Sequence, residues 1–137
     1  VLFIQFVKGR LSGEHRFVNQ FHPFELVKLN QGDSFNQHRE TLESSVRESV
    51  AYAEKALLSG KYDLVILDEI FVAFNMGLVT LEDILNLIDK KSEATELVLT
   101  GRNAPQEILQ RADLVTEMHA IKHPFQQGVA ARPGIEY

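Results

Sequence analysis

Asp63-Leu64-Val65-Ile66-Leu67-Asp68-Glu69 sets four apolar residues between charged ones. The run is too short for a helix, is rich in β-formers, and suits a strand covered on both faces of a parallel sheet. Glu96-Leu97-Val98-Leu99-Thr100 repeats the pattern and stops at Gly101. Val1 to Val7 reads as a third such strand, Phe24 to Leu29 as an alternating fourth, and Leu114 to Met118 as a short last one. Between them lie helical periods. One helix runs from about Asn36 to Ser59, with Leu42, Val46, Val50, Ala53 and Leu57 on its inner stripe and Gly60 at its end. Ser34 with Gln37 fits a capping box for it, and Thr80 with Asp83 fits one for a helix carrying Leu81, Ile84, Leu85 and Ile88. Asn103 is placed to cap a short helix from Pro105 to Ala112. Residues 10–23 read as a polar loop, Phe71 to Met76 as either a short helix or a packed loop, and Lys122 to Tyr137 as extended chain. Strands alternating with helices predict a single α/β domain over 1–137 with a mostly parallel sheet.

Composition narrows the function. The chain has 137 residues, no Cys, and 14 basic against 19 acidic side chains, for a net charge of −5. Absence of Cys removes a disulfide scaffold, a Cys-ligated zinc site, an iron–sulfur cluster and a Cys nucleophile together. The acidic balance opposes a nucleic-acid motor. No apolar run approaches the ~20 residues that span a bilayer. No Gly-x-Ser-x-Gly is present, so a hydrolase elbow is not supported. His119 and His123 have a zinc-like spacing, but the segment offers no third ligand; His15, His22 and His38 lie in polar stretches and read as solvated.

Ligands of open parallel sheets bind beyond the carboxyl ends of the strands. Those ends carry Lys8 and Gly9, Asp68 and Glu69, and Thr100, Gly101 and Arg102. Carboxylates beside cations are the set that a hydrated Mg²⁺ with a polyphosphate needs. Four apolar residues followed by Asp-Glu also resemble the Walker B string of nucleotide-binding proteins. Phe17, Phe21, Phe35, Phe71, Phe74 and Phe125 fall in loops or at element ends, where packing explains each singly and a pocket for a flat ligand would use them together.

Gln5-Phe6-Val7-Lys8-Gly9, Leu67-Asp68-Glu69-Ile70, Leu99-Thr100-Gly101-Arg102, Ala112 to Met118 and the closing Lys122-His123-Pro124-Phe125 with Gly134-Ile135-Glu136-Tyr137 occur in one order. In that order the chain resembles the ATP:corrinoid adenosyltransferases. The resemblance implies a P-loop-NTPase-like, three-layer α/β fold. It implies transfer of the 5′-deoxyadenosyl group of ATP to reduced corrinoid cobalt, with Mg²⁺ present. A homodimer, a cytoplasmic setting and a flavoprotein reductant go with it. By position, Asp68 and Glu69 are the acids for Mg²⁺, Glu69, Arg102 and Lys8 serve ATP, and Phe35 faces the corrin ring. Members of that family carry a Gly-rich loop ending Gly-Lys-Thr or Gly-Lys-Ser before the first strand, and residues 1–137 contain none. The expectation is therefore an upstream segment that holds the phosphates; the alternative is a non-catalytic relative that binds a corrinoid or a partner protein.

Overall fold

The computed structural model describes residues 1–7, 13–29, 38–132 and 135. Its elements are β1 (Leu2–Gln5), α1 (Gly13–Phe21), β2 (Glu25–Val27), α2 (Arg39–Ser59), β3 (Leu64–Asp68), α3 (Ile70–Asn75), α4 (Leu81–Lys90), β4 (Glu96–Leu99) and α5 (Gln106–Arg111), with a 3₁₀ turn at Pro124–Gln127. The four strands form one all-parallel sheet in the order β2-β1-β3-β4, flanked by helices. This is the α/β class predicted from the apolar runs.

Successive side chains on a strand point to opposite faces. Leu2, Ile4, Val65 and Leu67 share one face and are fully buried. Phe3, Ile66 and Val98 share the other in direct register and are less covered, Val98 being 41% exposed. α2 packs on α4 and on β3, and α1 on β2. The predicted stripe of α2 is real: Leu42, Val46, Ala53 and Leu57 are buried and Val50 packs against them. Ser45 and Ser49 lie on the same side and are satisfied by donating to Leu42 and Ser45 carbonyls at 2.9 Å. Lys90 of α4 bridges to Glu54 of α2 at 2.6 Å. The Thr80–Asp83 capping box forms in both directions, and Gly60 ends α2 in the left-handed region at φ 61°. Among the described residues no helix is long and apolar enough to cross a membrane.

Several local expectations change. Part of the stretch read as loop at 10–23 is α1, whose buried face is His15 and Val18, three residues apart. The polar composition hid this period, and His15, read as solvated, is only 5% exposed. Phe71 to Met76, left open between helix and loop, is mostly α3. Leu114 to Met118 is not a strand: among the described residues no neighbour pairs with it, and Leu114 and Met118 are 85% and 93% exposed. The strand at 24–29 shortens to β2, and the short helix is entered from Pro105 with no side-chain cap, Asn103 instead taking φ 54°. The Ser34–Gln37 capping box lies outside the described residues.

Candidate active site at the carboxyl ends of the strands

Parallel pairing gathers all carboxyl ends on one edge. Gln5, the last residue of β1, stands in register with Asp68, the last residue of β3. Thr100 follows β4 directly, and its N–H donates to the Leu67 carbonyl at 3.2 Å. Its hydroxyl therefore lies beside Asp68. It donates to Asp68 Oδ1 at 3.0 Å and accepts the Glu69 N–H at 2.9 Å. One hydroxyl thus serves as donor to one acid and acceptor for the backbone of the next.

Glu69 needs that support. It adopts φ 59°, ψ 27° at the start of α3, a left-handed conformation that costs a non-glycine residue about 1 kcal/mol or more. Strain of this kind persists where surrounding bonds over-determine it, and such places cluster at functional sites. A second set of bonds joins the same loops. The Phe71 N–H donates to the Thr100 carbonyl at 3.3 Å. The Asn75 amide donates to the Phe71 and Arg102 carbonyls at 2.6 and 2.7 Å. Arg102 is exposed on a loop whose backbone is tied to α3, while Asp68 and Glu69 are half-buried.

The structure therefore brings Asp68, Glu69 and Arg102 to one edge, as expected. Lys8 and Phe35 lie outside the described residues. Of the other aromatics, Phe71 is buried in the core, Phe74 packs partly buried against it, Phe17 and Phe21 form an exposed pair on α1 with ring centres 5.0 Å apart, and Phe125 is exposed on the tail. Among the described residues no three His, Cys, Asp or Glu side chains are grouped to hold a metal. His123 uses Nδ1 to accept the Phe125 N–H at 3.1 Å.

Replacing Thr100 by Val should lower stability by about 1–3 kcal/mol, because it removes a donor to Asp68 and leaves the Glu69 N–H without its acceptor. Thr100→Ser should restore most of it. Thermal melts of the three proteins test this, and equal melting temperatures for Val and Thr would refute it.

The model of the family described as ATP:corrinoid adenosyltransferase BtuR/CobO/CobP matches residues 1–137. The chain belongs to this family. Among curated family members, the corrinoid adenosyltransferase of Sinorhizobium sp is 34% identical over 98% of this chain and 65% of its own length. That of Pseudomonas aeruginosa is 32% identical over 98% of this chain and 68% of the relative, and that of Escherichia coli K12 30% over 98% and 69%. The chain thus spans about two thirds of the curated relatives it matches.

Three residues bonded to Asp68 or to one another at this edge are not evident as candidates from the sequence. From sequence Thr100 reads only as a polar strand end and Glu14 as part of a loop. Gln5 left the clearest trace, as the one polar residue inside the apolar run from Val1 to Val7.

Proposed function

We propose that this protein transfers the 5′-deoxyadenosyl group of ATP to the reduced cobalt of a corrinoid, releasing triphosphate. The observation that carries the reading is the Asp68–Glu69 pair at the end of β3, fixed by Thr100, in a chain matched along its whole length by the adenosyltransferase family. In this reaction the electron pair of Co(I) forms the bond to C5′. The C5′–O bond breaks and its electrons leave on the triphosphate, so cobalt ends as alkylated Co(III). No covalent intermediate with the protein is required. The protein must position ATP, neutralise charge on the leaving group and keep water from the reduced metal.

Asp68 and Glu69 would hold Mg²⁺. Two half-buried carboxylates are hard oxygen donors of the kind a hydrated Mg²⁺ takes beside substrate phosphates. When bound, the ion offsets the charge of the departing triphosphate. Arg102, as a fixed fork of N–H donors, suits phosphate oxygens. Lys8 is assigned to the nucleotide and Phe35 to the corrin ring on the family resemblance. The reading treats residues 1–137 as one α/β domain that works with a phosphate-holding loop outside them. A homodimer, a flavoprotein reductant and a cytoplasmic setting belong to the same proposal and are carried by the resemblance.

Glu69→Gln in the full-length protein should reduce turnover by about 10²-fold, the scale of losing one preorganised electrostatic contact, with the melting temperature nearly unchanged. The measurement is the change in corrinoid absorbance under reducing conditions with ATP. Near-normal turnover would remove Glu69 from the site.

A further inference from the structure

We propose that Gln5 is a positioning residue for the metal–nucleotide site, its buried amide orienting the carboxylate of Asp68. The inference rests on the function proposed above and adds a residue to it.

Gln5 is 1% exposed, at the end of a strand whose other residues are apolar. Burying an amide costs about 1–3 kcal/mol unless its groups are bonded. Here Nε2 faces two carboxylates, Asp68 Oδ2 at 3.4 Å and Glu14 Oε1 at 3.4 Å. An amide nitrogen has two N–H donors, one for each. Asp68 Oδ1 already accepts the Thr100 hydroxyl. Both oxygens of Asp68 are therefore held, one from β1 and one from the end of β4, and the plane of the carboxylate is set. Glu14, in the first turn of α1, accepts from the same amide nitrogen.

The opposite end of the amide shows that Gln5 is more than filler. Gln5 Oε1 is buried with no hydrogen-bond partner among the described residues. Met would fill a similar volume without an orphaned oxygen, and volume-conserving swaps are well tolerated in cores. A position governed by packing alone would favour the apolar side chain. The two N–H groups facing carboxylates are what Gln supplies and Met does not. The register of β1 on β3 is the reason they reach Asp68: paired residues on neighbouring strands stand side by side on one face.

The test is Gln5→Met in the full-length protein, with Gln5→Asn as a second variant that keeps the amide but draws it back by one methylene. Mn²⁺ serves as a spectroscopic probe, its binding in the presence of ATP followed by electron paramagnetic resonance. Both variants should bind Mn²⁺ about 10-fold more weakly than wild type. KM for ATP should rise with it, while KM for the corrinoid stays within about 2-fold. A packing role alone would shift the melting temperature and leave Mn²⁺ affinity unchanged, and that result in either folded variant overturns the inference. Should wild type bind Mn²⁺ with ATP yet fail to alkylate any reduced corrinoid, the proposed function falls, while the Mn²⁺ titration still decides the role of Gln5.

Discussion

Asp68→Asn should abolish most adenosyl transfer, by about 10²–10³-fold, in a protein that still folds. Asn matches Asp in size, so the fold meets no steric change. The charge is what disappears. A neutral amide is a poor partner for a divalent cation, which favours carboxylate oxygens. The hydrogen bonds also reverse in part. Asp68 accepts on both oxygens, from Gln5 and from Thr100. Asn can accept on only one side, and its amino group then faces a donor on the other. A loss of about 1–2 kcal/mol in stability should accompany the loss of rate. Initial rates from corrinoid absorbance, with Mg²⁺ raised well above its wild-type requirement, make the measurement. Activity within about 3-fold of wild type would dismiss Asp68 as the acid that matters.

Gly101→Ala should produce the largest loss of stability. Gly101 has φ 141°, which L side chains rarely adopt, and an added Cβ would sit 2.7 Å from Phe71 Cβ and 3.0 Å from the Phe71 nitrogen. The obstacle is backbone and a buried ring root, neither of which can swing aside. Overpacking and backbone strain each cost about 1–3 kcal/mol. Together they should lower the melting temperature by roughly 10 °C for a domain of this size. Pushing Phe71 away would also break its N–H bond to the Thr100 carbonyl, so activity should fall with stability. Gly13→Ala is the matched control. Among the described residues nothing lies within 4 Å of the Cβ it would gain, and its melting temperature should stay within about 2 °C of wild type. Equal behaviour of the two variants would show that the β4–α3 junction yields more easily than its contacts imply.

The fold was legible where the signal was local. The apolar runs of β1, β3 and β4 and the capping pair at Thr80 and Asp83 each lie within a few residues, and all appear in the structure. The position of Asp68 and Glu69 at a strand end followed from the same runs. The misreadings have a different origin. α1 was missed because its buried face is one valine and one histidine under a polar surface. Leu114 to Met118 has the composition of a strand, but a strand needs a neighbour, and that is a property of the whole sheet. The bonds that join Gln5, Glu14 and Thr100 to Asp68 or to one another are not evident from sequence for the same reason. Gln5 and Asp68 are 63 positions apart in the chain, and only the strand register brings them together.

The Thr100 hydroxyl that joins the two strand ends also bears on how fast and how tightly the nucleotide of the proposed function would be captured. Fixing one backbone residue costs about 1–2 kcal/mol of conformational entropy. A loop that becomes ordered only around its ligand subtracts that amount from the affinity, residue by residue, and slows association while it folds into place. Asp68, Glu69 and Thr100 are bonded to one another through groups of the chain itself. Their ordering belongs to the folding of the domain, so under the proposed function a nucleotide would meet acids whose freedom folding has already removed.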